Sequence, residues 1–167
     1  MTGYVTLLRA VNVGRTGKLA MTELKALCEA AGFQAVQTYI ASGNVVFTSA
    51  ESEPTIKATL EARLRDHLGQ PVGVLVRTAA ELAKVLAENP FPDSPGSQVM
   101  AIFLDVPAVL DGMVGRAENE EVRLGRREIY VRYGNGMGRT KLRIPAAEAG
   151  TARNMNTVAK LVAMAED

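Results

Sequence analysis

Short apolar runs alternate with helically spaced stripes through the first half of the chain. Tyr4–Arg9 is rich in apolar and β-branched residues and predicts a buried strand. Leu24, Leu27, Cys28 and Ala31 then recur at helical spacing, and Gly32 supplies the stop. Gln34–Ile40 and Asn44–Thr48 read as two strands of a hairpin that turns at Ala41-Ser42-Gly43. Ser52 or Glu53 caps a second helix with Pro54 in its first turn, an apolar stripe of Ile56, Leu60, Leu64 and Leu68, and Gly69 at its end. Val72–Val76 is a short apolar strand. The order βαββαβ over residues 1–77 predicts a ferredoxin-like plait, a four-stranded antiparallel sheet with two helices on one face.

The second half repeats part of this order. Thr78-Ala79-Ala80-Glu81 is a capping box that opens a helix running to about Glu88. The Pro-rich stretch Asn89–Gly96 reads as a loop and as the domain boundary. A strand over Val99–Leu104, a helix over Pro107–Met113, and a hairpin of Glu121–Leu124 and Ile129–Tyr133 across Gly125-Arg126 follow. Then come a polar Gly-rich loop, Gly134–Thr140, and a short helix over Lys141–Ala149. Asn154 caps a last helix with Val158, Leu161, Val162 and Ala165 on its apolar face. No final strand is evident, so this half reads as an incomplete echo of the first. The expected architecture is α+β: two ferredoxin-like (alpha-beta plait) subdomains, 1–77 and 98–167, joined by a helix and linker over 78–97.

Topology turns the pattern into a site. In such a plait the first and third strands are antiparallel neighbours, so the end of the first lies beside the start of the third. Arg9 and Asn12 then share one pole of the sheet with Ser42 and Asn44, and the first helix starts at that pole with its unpaired N–H groups. Arg15 and Lys18 lie on the connecting loop. An Arg at the end of an apolar strand, two further cations, a helix N-terminus and Ser/Asn side chains have the makings of an anion site. Gly14-Arg15-Thr16-Gly17-Lys18 is not a P-loop: the motif's first Gly would fall on Asn12, and Leu19 follows Lys18 where a magnesium-binding hydroxyl is needed.

Composition narrows the chemistry. The 167 residues carry a formal net charge of +1, with 47% hydrophobic and 22% charged residues, which argues against nucleic-acid binding by bulk charge. Cys28 is the only cysteine and falls in an apolar stripe, so no disulfide framework forms. His67 is the only histidine, and it lies near the end of the second helix. A single His without clustered acids leaves too few ligands for a metal site, and no cofactor motif is present. No membrane-spanning run is evident, and a cytoplasmic protein is expected. Glu118, Glu120, Glu121 and Glu128, with Arg116, Arg123, Arg126 and Arg127, crowd around a hairpin and read as a solvated strand face. Tyr130 and Tyr133 with Arg132, or Tyr4 and Phe47, are the aromatics a single-stranded nucleic-acid site would use.

Four stretches resemble a known family: Leu8-Arg9-Ala10-Val11-Asn12-Val13-Gly14, Tyr39-Ile40-Ala41-Ser42-Gly43-Asn44-Val45, Asn89-Pro90-Phe91, and Thr151-Ala152-Arg153-Asn154 with Thr157. In that order they are similar to the bacterial domain-of-unknown-function family 1697. The resemblance implies two ferredoxin-like subdomains and a cytosolic protein, and it carries over no established activity, cofactor or catalytic residue. Family members often carry an aromatic after the Arg-Asn pair, where this chain has Met155. Arg153 and Asn154 join Arg9, Asn12, Arg15, Lys18, Ser42 and Asn44 as candidate ligand-binding residues. Three readings stand: a binder of a small anionic, phosphate-bearing ligand; a transferase-like enzyme acting on such a ligand; and a single-stranded nucleic-acid-binding module. The oligomeric state is not legible in the sequence.

Overall fold

The structure is a computed structural model that describes residues 1–9, 18–108, 121–133 and 150–166. It divides into two compact units, Met1–Leu82 with Leu161–Asp167, and Ala83–Lys160. No helix among the described residues is long and apolar enough to cross a membrane.

The first unit runs β1 (Thr2–Leu8), α1 (Met21–Ala30), β2 (Gln34–Tyr39), β3 (Asn44–Ser49), α2 (Glu53–Leu68) and β4 (Val74–Thr78), and α3 (Ala79–Ala87) begins in it. Its sheet order is β2-β3-β1-β4, with every pair antiparallel, as the βαββαβ pattern requires. Each helix ends by local rules. At the end of α1, Gly32 takes φ 90°, Phe33 N donates to Cys28 O at 3.2 Å and Gly32 N to Glu29 O at 3.0 Å. These are the two bonds of a Schellman stop, and Phe33 closes it from the core. Ser52 caps α2, its Oγ accepting from Thr55 N at 3.4 Å, and Gly69 ends that helix in the left-handed region. Leu24 and Cys28 of α1 and Ile56, Leu60 and Leu64 of α2 pack on Tyr4, Leu8, Val45, Phe47, Val74 and Val76 of the sheet. The opposite sheet face is buried as well, at Val5, Leu7, Val46, Leu75 and Arg77.

β4 differs from its sequence reading. It begins at Val74 instead of Val72 and continues through Arg77 and Thr78. Leu8 faces Val74 and Tyr4 faces Thr78, so the length of β1 sets where β4 can pair. Thr78 also opens α3 through the expected capping box: Glu81 N donates to Thr78 Oγ1 at 3.1 Å and Thr78 N to Glu81 Oε1 at 2.9 Å.

The second unit holds β5 (Val99–Phe103), β6 (Glu121–Leu124), β7 (Glu128–Arg132) and β8 (Thr151–Asn154), and α4 (Met155–Glu166) starts in it. Its order, β6-β7-β5-β8, is the same permutation as in the first sheet. The fourth strand missing from the sequence reading is thus Thr151–Asn154, paired along β5. It is four residues long, and its inward side chains are Thr151 and Arg153, so no apolar alternation announces it. Asn154 caps α4 as expected, its Oδ1 accepting from Thr157 N at 2.9 Å. The readings at Gly134–Thr140, Lys141–Ala149 and most of Pro107–Met113 lie outside the described residues.

The two sheets also share their register. Tyr4 of β1 faces Phe47 and Thr78, and Met100 of β5 faces Val131 and Asn154. In each unit the last residue of the fourth strand caps the helix that follows directly.

Two predictions follow from the first core. Thr6 is fully buried on the helix-facing side of β1, and its hydroxyl has no hydrogen-bond partner among the described residues. A buried, unsatisfied hydroxyl costs about 1–3 kcal/mol, so Thr6→Val should raise stability by about 1 kcal/mol in urea unfolding. A loss of stability would contradict this. Cys28 is also fully buried, and burial, with Glu29 adding to it, pushes its thiol up to about 12. Once the pH exceeds the unfolded thiol's value of about 8.5, the unfolded chain loses a proton that the folded chain keeps, so stability falls by about 1.4 kcal/mol per pH unit toward pH 12. Denaturant curves of the wild type and Cys28→Ala across that window should differ in slope by that amount.

Candidate functional site

The pole expected from topology is held by backbone bonds. Leu7 faces Asn44 across the β1–β3 pair, and Leu8 N donates to Gly43 O at 2.8 Å. On the other side of β1, Arg9 N donates to Gly73 O at 2.9 Å. The hairpin tip, the end of β1 and the loop into β4 therefore meet. The helices reach the same end of the unit: His67 Nε2 near the end of α2 lies 2.9 Å from Glu23 Oε2 in the first turn of α1.

Cations gather there. Arg9 is exposed, and its side chain crosses Gly73 so closely that a Cβ at Gly73 would sit 3.4 Å from the Arg9 Cβ and 3.6 Å from its Cδ. Lys18 stands just ahead of α1, and Arg65 lies in the last turn of α2. Both are exposed, and neither charged group has a hydrogen bond or ion pair among the described residues. Ala20 at the N-cap of α1 offers no side-chain acceptor to the first turn. Asn12 and Arg15 lie outside the described residues. Arg65 was not among the sequence candidates, because a basic residue just before a helix-ending Gly reads as a partner of the helix dipole.

Ser42 and Asn44 build the turn beside these cations. Asn44 is fully buried, and its Nδ2 donates to Tyr39 O at 2.8 Å and to Ser42 Oγ at 3.0 Å. The tip they hold is strained. Ile40 takes φ 52° while 48% exposed, and Gly43 takes φ 89°. A β-branched residue in the left-handed region costs of order 1–3 kcal/mol and persists only where its surroundings enforce it.

The second unit acts as an internal control on the charge. Its Leu104 N–Arg127 O bond, 2.8 Å, corresponds to Leu8 N–Gly43 O, and its Phe103–Glu128 pair corresponds to Leu7–Asn44. Asp105 and Glu128 thus stand where the first unit has Arg9 and Asn44. The hairpin tip there carries Arg126 and Arg127, so the two poles place their charges at different positions.

Arg153 and Asn154 belong to the second unit and have local roles there. Arg153 Nη1 donates to Thr151 Oγ1 at 2.8 Å and to Ala152 O at 2.9 Å, and burial lowers its guanidinium to about 10. It sits in a strand, not at a helix start, and Asn154 spends its carbonyl on the α4 cap. The first unit has a counterpart: Arg77, the penultimate residue of β4, is 1% exposed and donates from Nη1 to Val76 O at 3.0 Å. Sequence reading ended that strand at Val76 and missed it.

Of the aromatic candidates, Tyr4, Phe47 and Tyr130 are buried, and Tyr133 is half-buried against Leu104, Ile129 and Val131. Tyr4 and Phe47 lie in the helix-facing core, where Phe33 stacks on Phe47 at 4.3 Å. Tyr130 is buried, and its hydroxyl donates to Val85 O at 2.8 Å. Arg132 pairs with Glu121 at 2.6 Å.

Comparison with known proteins fits this frame. A family model described as "Protein of unknown function (DUF1697)" matches residues 1–130. The chain belongs to the DUF1697 family. A solved structure of a conserved bacterial protein from Streptococcus pneumoniae superposes with a TM-score of 0.81 at 22% identity, covering 98% of either chain. That likeness is one of fold. Comparison with curated proteins finds no match. The DUF1697 match takes in the whole basic pole, whereas Thr151–Asn154 lies beyond it.

Asn44, itself buried, supplies two part-buried hydrogen bonds to a strained turn. Asn44→Ala in this DUF1697 protein should cost about 1–3 kcal/mol of stability, because it removes two hydrogen bonds that hold the turn. Equilibrium denaturation measures this, and a neutral result would remove the turn-building role.

Proposed function

We propose that the protein binds a small, phosphate-bearing anion at the pole where β1 ends and β3 begins. The observation that carries this reading is that Arg9 ends β1 and Lys18 stands just ahead of α1, whose start has no side-chain cap, with Arg65 in the last turn of α2 at the same end of the unit. A helix start presents unpaired N–H groups and a partial positive charge, and cations around it add long-range attraction. Ser42 and the backbone near Gly43 complete the rim. In this reading Asn44 positions the rim and does not touch the ligand.

One exposed charge contributes only about 0.3–1 kcal/mol, so affinity must come from several donors acting together. Replacing Arg9 and Lys18 together by Ala should therefore weaken phosphate binding by roughly tenfold, as two contacts near the middle of that range would require. Titration of the protein with inorganic phosphate by calorimetry at low ionic strength is the direct measurement. Binding should also weaken on raising the salt from about 50 to 500 mM, since the pole is solvent-exposed. Unaltered binding by the double variant would overturn the proposal.

A further inference from the structure

Beside the pole, α2 and the loop into β4 flank an open groove of about 340 Å³ lined by Glu61, Ala62, Arg65, Pro71, Val72 and Gly73. It adjoins the proposed anion site through Gly73, whose carbonyl holds the Arg9 N–H and whose open Cα face is crossed by the Arg9 side chain. The groove is braced. Lys57 Nζ donates to Val74 O at 2.6 Å and to Glu61 Oε2 at 3.1 Å, while Val74 N donates to the same Glu61 oxygen at 3.3 Å. Two side chains of α2 thus grip the residue that ends the loop, so its walls are set before any ligand arrives.

A phosphate ion alone needs no such space. Ligand sites run from about 300 to 1,000 Å³, so this groove is at the small end and suits one compact organic body. Its chemistry is mixed. Ala62, Pro71 and Val72 offer apolar surface, and the Arg65 guanidinium is a planar cation without a protein partner among the described residues. A guanidinium stacks on flat π-systems and donates to ring acceptors, which favours a heterocyclic base over a sugar.

We infer that the ligand is a nucleoside monophosphate, with its phosphate at Arg9 and Lys18 and its base in the groove against Arg65. This inference rests on the anion site proposed above and adds its substrate class. Calorimetric titrations with inorganic phosphate, ribose 5-phosphate and a set of nucleoside monophosphates test it on the full chain. At least one nucleotide should bind tenfold or more tightly than phosphate and more tightly than ribose 5-phosphate. Ala62→Phe fills the groove from an exposed helix position, and it should abolish the nucleotide's advantage while leaving phosphate binding in place. Ala62→Leu should reduce that advantage by a smaller factor, and urea curves check that both variants fold. Nucleotide and phosphate binding equally, ribose 5-phosphate matching the nucleotides, or a nucleotide advantage that survives Ala62→Phe would each overturn the inference while the anion site stands. Failure of phosphate and nucleotides alike to bind would overturn both.

Discussion

β1 is paired on both sides, and the last two bonds of that pairing organise the first unit. Leu8 N reaches Gly43 O across one edge, and Arg9 N reaches Gly73 O across the other. Because side chains alternate strictly along a strand, a slip of one residue in either pairing would turn Tyr4 and Leu8 out of the helix-facing core. The apolar contacts of Leu24, Cys28, Ile56, Leu60 and Leu64 with that face therefore lock the register. The locked register in turn places the hairpin tip and the β4 loop beside Arg9. Core packing and site geometry are thus one constraint.

The repeated sheet shows what this constraint leaves open. Both units carry the same strand permutation and matching pairs, and both run the fourth strand straight into a capped helix. Buried arginines, Arg77 and Arg153, occupy equivalent places opposite Val5 and Ala101, and each bonds the carbonyl just before it. An unpaired buried guanidinium is costly, so retaining one in each fourth strand is a strict demand on its surroundings. At the poles the likeness stops. Asp105 and Glu128 occupy in the second sheet the register positions that Arg9 and Asn44 occupy in the first. Charge at a strand's end is free to diverge because the pairing uses only backbone groups.

Legibility in the sequence followed the strength of local rules. Elements bounded by glycine stops and capping residues, such as α1 before Gly32 and α2 between Ser52 and Gly69, were readable because one residue decides each end. The pole was readable through topology alone, since the plait order already puts the end of β1 beside the start of β3. β8 was not, because Thr151 and Arg153 are polar and satisfy their burial through hydrogen bonds, which leave no periodic trace. Arg77 was lost for the same reason, and the extent of β4 depends on where β1 stops. The groove by Arg65 needs two elements at once and has no motif of its own. Asn44 was visible as a residue, but its commitment to Tyr39 O and Ser42 Oγ, which makes it part of the turn, is a matter of three dimensions.

The energetic logic of the pole joins these points. A turn that holds Ile40 at φ 52° stores strain, and the buried Asn44 amide and the β1–β3 pairing are what oppose its release. On the other side of Arg9, Lys57 and Glu61 hold the loop that carries Gly73. Arg9 thus stands between a hairpin tip and a loop that are each hydrogen-bonded to the end of β1. Fixing the flanks in the folding reaction lowers the ordering cost left to binding, and for a small ligand held by a few exposed charges that cost decides whether affinity is measurable. A mobile loop with the same cations would provide the same charge with far less net affinity. The part-buried hydrogen bonds on either side of Arg9 are therefore what would distinguish the proposed site from an ordinary basic surface.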